Sequence, residues 1–235
     1  MALQVATWSV AVGPELVTAA FEPATAAATG RVFVFAHGAG GHMADRGMLA
    51  LAAQFRARGL HVVRFNFPYS ERHSRRPDPM PVLQSCIAAV AARAIEEIGP
   101  DALILGGRSM GGRAASMLVA DGHPCAGLLL LAYPLHPAGR EDRLRDAHLP
   151  RIAQPVLCFN GTRDPLCRRD LMEGVVARLA PNWRMHWLEG ADHSFHVTRA
   201  SGRDDDAVRE EIGAVTAGWI ASLSRRPAAD RRSPR

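Results

Sequence analysis

The stretch from residue 101 to residue 119, Asp-Ala-Leu-Ile-Leu-Gly-Gly-Arg-Ser-Met-Gly-Gly-Arg-Ala-Ala-Ser-Met-Leu-Val, restricts the folds open to this chain more than any other. It reads as a short buried strand over 102–105, a glycine-flanked serine, and a helix over 110–120. When a strand reverses into a helix this abruptly, the positions two before and two after the serine are pressed against each other and against neighbouring strands. Glycines at 107 and 111 leave no Cβ to clash there. Such a turn projects the Ser109 hydroxyl beyond the sheet and puts the Met110 N–H at a helix N-terminus, where partial positive charge suits an oxyanion. Gly-x-Ser-x-Gly also occurs in ordinary strand-to-helix turns, so the rest of the chain has to decide between the two readings.

That remainder alternates. Residues 3–10 and 15–21 read as a hairpin about Val12-Gly13-Pro14, and the Ala-rich 23–30 as a loop. Strands are then expected at 31–36, 61–67, 102–105, 127–132, 156–160 and 183–188. Helices are expected at 43–58, 81–98, 110–120, 168–179 and 205–222, the first stopped by Gly59 and the second by Gly99-Pro100. Strands alternating with helices imply βαβ units: an α/β fold, mainly parallel, with helices on both faces of one domain over 1–222. Function in such sheets collects beyond the carboxyl ends of the strands. The loops there are 37–41, 68–81, the turn at Ser109, 133–150, 161–166 and 189–197.

Composition narrows the class. With 48% hydrophobic and 22% charged residues the chain is globular, and it has neither a membrane-length apolar run nor a secretory leader, so a cytoplasmic protein without a membrane partner is expected. Cys86, Cys125, Cys158 and Cys167 form no C-x-x-C pair and are expected as small buried hydrophobes. All 28 basic residues are arginine, and the formal charge is +5. Because they are scattered, a nucleic-acid partner is not expected, and residues 223–235 read as a basic, disordered tail. Oligomeric state is left open.

Three of the loops carry complementary chemistry. Ser109 needs a base, and Gly190-Ala191-Asp192-His193-Ser194-Phe195 supplies His193. The base needs a carboxylate to fix its tautomer, and Asn160-Gly161-Thr162-Arg163-Asp164-Pro165 supplies Asp164. Asp164 could instead cap the following helix or stabilise its own turn, and Asp192 is too close in sequence to reach the outer nitrogen of His193. His193 and His196 lack further ligands, so no metal is expected, nor any cofactor. In His37-Gly38-Ala39-Gly40-Gly41 the backbone can approach a substrate oxygen closely. Ala39, then Gly40, is expected to give the second oxyanion N–H beside Met110.

These segments resemble the α/β-hydrolase superfamily. More narrowly they resemble small capless hydrolase-like proteins, the testis-expressed and NSL-complex-subunit hydrolase-like group, with dienelactone-hydrolase-like enzymes as relatives. The resemblance is carried by Ala36-His-Gly-Ala-Gly-Gly-His-Met, Phe65-Asn-Phe-Pro-Tyr, Gly106-Gly-Arg-Ser-Met-Gly-Gly-Arg, Tyr133-Pro-Leu-His-Pro, Asn160-Gly-Thr-Arg-Asp-Pro and Gly190-Ala-Asp-His-Ser-Phe. It implies Ser109 as nucleophile, Asp164 as acid and His193 as base, and it assigns no substrate. Residues 133–154 are too few for a cap, so an open site is expected. Its expected ligand is a small acyl substrate of carboxylic-ester type, contacted by His37, Gly38, Gly40, Tyr69, Arg76 and Tyr133. Arg72, Arg75 and Arg76 in the overhanging loop could favour an acidic substrate, and Arg108 could sit buried in a salt bridge behind the serine. The rival reading is a hydrolase-fold binding module in a larger assembly.

Overall fold

The computed structural model describes residues 3–223, so the basic segment expected after them lies outside the described residues. In chain order the elements are β1 (Ala6–Val12), β2 (Glu15–Glu22), β3 (Arg31–Ala36), α1 (Arg46–Arg56), β4 (Leu60–Phe65), α2 (Pro68–Glu71), α3 (Met80–Ile98) and β5 (Ala102–Arg108). They continue with α4 (Met110–Ala120), β6 (Gly127–Leu131), β7 (Val156–Gly161), α5 (Arg169–Val176), β8 (Trp183–Leu188) and α6 (Asp205–Ser222).

One sheet holds all eight strands, in the order β1-β2-β4-β3-β5-β6-β7-β8. β1 and β2 pair antiparallel, as do β2 and β4, and every pairing among β3 to β8 is parallel. Why the edge differs from the centre follows from burial. β1 buries only every second residue, Trp8, Val10 and Val12, whereas β3, β4, β6 and β7 are buried throughout. The β1–β2 hairpin closes on two residues, with Val12 opposite Glu15 and Gly13 at φ 59°. Proline cannot take the second positive φ that a type I′ turn requires, so Gly13-Pro14 forms type II′.

Helices cover both faces. α1 and α6 lie on one side, where Phe55 meets Phe33 and Phe35 edge-on at 5.4 and 5.8 Å. α3, α4 and α5 lie on the other, above Val34, Leu105, Leu130 and Cys158. Burying each such Phe or Leu stabilises the fold by about 1.5–3 kcal/mol. Helix ends follow local chemistry. α3 stops at Gly99 in the left-handed region, and the Asp204 carboxylate caps α6 by accepting from Ala207 N–H at 2.8 Å.

Residues 133–154 contain only one 3-10 turn, Leu149–Arg151, and build no cap. This loop is strapped down instead. Tyr133 Oη donates to the Arg145 carbonyl at 2.6 Å, and Arg145 N–H to the Leu135 carbonyl at 2.7 Å. No helix among the described residues is long and apolar enough to cross a membrane. Cys86, Cys158 and Cys167 are buried and Cys125 is partly so; all four are unpaired.

Candidate active site

The loops expected to carry function all leave the carboxyl ends of the parallel strands, and there the sharp turn holds Ser109. β5 runs three residues further than expected, because Gly106, Gly107 and Arg108 still pair with Leu129, Leu130 and Leu131 of β6. Ser109 then takes φ 50° and ψ −117°, an uncommon conformation for a residue with a side chain, fixed by its N–H bond to the Leu131 carbonyl at 2.8 Å. The two flanking glycines are sterically required. A Cβ at 107 would lie 2.5 Å from the Ala36 carbonyl oxygen, and one at 111 would lie 2.4 Å from that of His37.

Ser109, His193 and Asp164 come together across 84 and 29 residues of chain. Ser109 Oγ lies 2.9 Å from His193 Nε2, and His193 Nδ1 lies 2.8 and 3.0 Å from the two Asp164 carboxylate oxygens. In the productive tautomer Nδ1–H donates to the carboxylate and Nε2 accepts the serine proton. The Asp164 side chain is fully buried, while that of His193 is 21% exposed, so the open edge of the dyad faces solvent. Asp164 does not cap α5, whose N-cap is Arg168. Its Oδ1 accepts the Leu166 N–H at 2.8 Å and its Oδ2 the Asn160 amide at 3.2 Å. Asp192, as expected, is occupied elsewhere, folding its own loop by accepting the N–H groups of Ser194 and His196.

Asn160 carries more of the site than the sequence reading gave it. It is buried, its amide also donates to the Tyr133 carbonyl at 3.0 Å, and its Oδ1 accepts the Tyr133 N–H at 3.2 Å. Asn160 therefore joins the acid turn to the chain leaving β6. The signal for it was a polar residue ending an apolar strand, Val-Leu-Cys-Phe-Asn. Gly161, missed likewise, lets the acid turn touch the base loop: a Cβ there would sit 2.1 Å from the Ala191 carbonyl oxygen.

Residues 37–41 lie against the serine. A Cβ at Gly38 would be 3.6 Å from Ser109 Cβ. Among the described residues neither the Ala39 nor the Met110 N–H has an acceptor, and Ala39 and Gly40 are exposed. Four of the six expected substrate contacts are corrected by burial, Gly38 among them. His37, Tyr69 and Tyr133 are all 0% exposed. The His37 Nδ1–H donates to the Gly38 carbonyl at 2.8 Å, while Nε2 accepts the Phe67 N–H at 3.2 Å. Tyr69 Oη donates to the same Gly38 carbonyl at 3.1 Å, and Tyr133 holds residues 133–150 as described above. Their side chains hold the loops in place from inside the protein.

Arg76 is exposed on the expected overhang, and the Arg75 carbonyl lies 3.9 Å from a Cβ built at Gly40. Arg72 is engaged by Glu15 and Asp78. Among the described residues no salt bridge forms at Arg108. Its Nη2 donates to the His193 carbonyl at 3.1 Å and to Ser194 Oγ at 3.3 Å, so it braces the base loop. His196 pairs with Asp205 and stands apart from His193 chemistry. Among the described residues no group of three or more His, Cys, Asp or Glu could hold a metal.

Burial pushes His37 down to about 4, and burial with Arg113 and Arg151 nearby does the same to His148, whose Nε2 meets Ser116 Oγ at 2.8 Å. The unfolded chain protonates these histidines near pH 6.5, and the folded chain resists until about 4. Stability is therefore fully present above pH 6.5 and lost as pH falls toward 4, by about 2 kcal/mol for each histidine at pH 5. Urea midpoints are expected to drop between pH 7 and pH 5, and to drop less in His148→Gln. Equal slopes in the two proteins would remove His148 from this account.

A family model described as alpha/beta hydrolase domain matches residues 29–221. Solved structures agree over nearly the whole chain. An alpha-beta serine hydrolase homologue from Coxiella burnetii superposes with a TM-score of 0.74 at 19% identity, covering 92% of this chain and 99% of that one. A Xanthomonas campestris member of the a/b serine hydrolases without lid gives 0.73 at 21% identity, covering 97% and 99%. Dienelactone hydrolase from Anabaena variabilis gives 0.74 at 18% identity, covering 94% and 99%. At these identities the likeness is one of fold.

Proposed function

Because the chain belongs to the alpha/beta hydrolase domain family, we propose that it is a serine hydrolase acting on carboxylic-ester-type acyl substrates through an acyl-Ser109 intermediate. The observation that carries this reading is the continuous hydrogen-bonded chain from Ser109 Oγ through His193 to the buried Asp164. In the proposed reaction His193 Nε2 takes the serine proton as Oγ attacks the acyl carbon. The tetrahedral oxyanion is held by the Ala39 and Met110 N–H groups. His193 then returns the proton to the departing alcohol, and a water activated by the same imidazole releases the acid.

A binding module has no use for a base held between a serine and a carboxylate, which favours chemistry over that alternative. The narrower kinship with testis-expressed and NSL-complex-subunit hydrolase-like proteins stays part of this proposal, resting on the segments around Ala36, Phe65 and Gly106. Four unpaired thiols suit a reducing, cytoplasmic setting. The test is pre-steady-state hydrolysis of 4-nitrophenyl butyrate. A burst of one nitrophenolate per chain is expected, followed by slower deacylation. Turnover without any acyl-protein, or acyl transfer to a residue other than Ser109, would overturn the mechanism.

A further inference from the structure

On the α1–α6 side of the sheet a cavity of about 220 Å³ is lined by Gly47, Leu51, Arg108, Ser194, Phe195 and Arg209. Arg108 precedes Ser109 and Ser194 follows His193, so this wall is built from the immediate neighbours of the reacting pair. The two guanidinium groups bring more donors than the protein satisfies. Of the five N–H groups on Arg108, only those on Nη2 meet acceptors among the described residues. Its Nε and Nη1 are not sealed in the core, and among the described residues no carboxylate lies within 4.0 Å of the group. Arg209 reaches Asp206 through Nε at 3.2 Å and Nη2 at 2.7 Å, and its Nη1 has no acceptor among the described residues. Asp206 is 88% exposed, so this pair is solvated and readily rearranged. Leu51 and Phe195, each 3% exposed, give the cavity its apolar side.

A half-buried guanidinium that no carboxylate contacts directly gains from an anion that does. Burial lowers the Arg108 pKa, and Asp45, Asp164 and Asp192 act on it only from a distance. We infer that this cavity is an anion subsite of the reaction centre, made for a short aliphatic acyl chain that ends in a carboxylate. Its methylenes would lie on Leu51 and Phe195 while the carboxylate accepts from Arg108 and Arg209, in the fork geometry that guanidinium groups share with carboxylates. The substrate class is then half-esters or half-thioesters of short dicarboxylic acids. This inference rests on the acyl-Ser109 reading and adds the identity of the acyl group.

The experiment compares kcat/KM for 4-nitrophenyl hydrogen adipate with that for 4-nitrophenyl hexanoate, which has the same carbon count and no charge. The wild type is expected to favour the adipate ester. In Arg209→Gln the adipate-to-hexanoate ratio is expected to fall about tenfold, chiefly through KM, with partial recovery in Arg209→Lys. An unchanged ratio in Arg209→Gln would overturn the subsite while leaving the hydrolase reading intact. Should neither ester be cleaved, the hydrolase reading fails, and adipate binding to the Ser109→Ala protein by calorimetry still decides the subsite. Affinity that drops about tenfold on adding Arg209→Gln supports it, and no binding or no drop overturns it.

Discussion

Ser109→Ala is expected to lower kcat for any ester the protein cleaves by roughly four to six orders of magnitude, with folding left almost unchanged. The two halves of that expectation have separate physical sources. Among the described residues the hydroxyl has one polar partner, His193 Nε2 at 2.9 Å, so removing it strips the site of its attacking group and orphans no buried donor. The strained turn is held by its backbone and by the close approaches at Gly107 and Gly111, which alanine at 109 leaves in place. Steady-state assays read the first half, and a thermal midpoint within a few degrees of the wild type reads the second. A loss below tenfold would mean that another group attacks. The cysteines are poor substitutes, because burial pushes the thiols of Cys86, Cys158 and Cys167 well up.

Asp164→Asn is expected to cost about 10⁴ in kcat, and the surrounding donors explain why. Oδ1 accepts the Leu166 N–H at 2.8 Å, so an asparagine keeps its oxygen on that side. Its NH₂ then occupies the position of Oδ2, which is 2.8 Å from His193 Nδ1 and 3.2 Å from the Asn160 amide. Facing a donor, the imidazole must turn Nδ1 into an acceptor and carry its proton on Nε2, where it can no longer receive the one from Ser109. The opposed Asn160 amide adds a stability loss of about 1–3 kcal/mol. Activity within tenfold of the wild type would show that the carboxylate does not set the tautomer.

Much of the fold was readable because the central strands are buried on both sides and so appear as continuous apolar runs, as at Val32-Phe33-Val34-Phe35. Errors fell where long-range contacts override local pattern. Gly106-Gly107 looks like a turn after a strand ending at Leu105, yet both glycines stay in register with Phe35 and Ala36 of β3. The helix expected from residue 43 starts at Arg46, since Met43 N–H donates to the Asn66 side chain instead. Helix α2 is four residues long and leaves no periodicity to detect. That Ser109, Asp164 and His193 come together was legible from chain order and loop position. His37, Tyr69 and Tyr133 have polar tips in loops beside Ser109, but all three are buried. Their burial depends on partners such as Gly38, Phe67 and Arg145, which the sequence alone does not pair with them. The same holds for Arg108, whose acceptors, the His193 carbonyl and Ser194 Oγ, lie 85 and 86 residues away.

The central claim is that Ser109 is an activated nucleophile, and it is tested most directly by treating the protein with a fluorophosphonate and mapping the adduct by mass spectrometry. Rapid phosphonylation of Ser109 alone is predicted, absent in Ser109→Ala and nearly absent in His193→Ala, whose serine keeps its place but loses its base. A folded wild-type protein that stays unlabelled, or is labelled equally fast without His193, would contradict the claim.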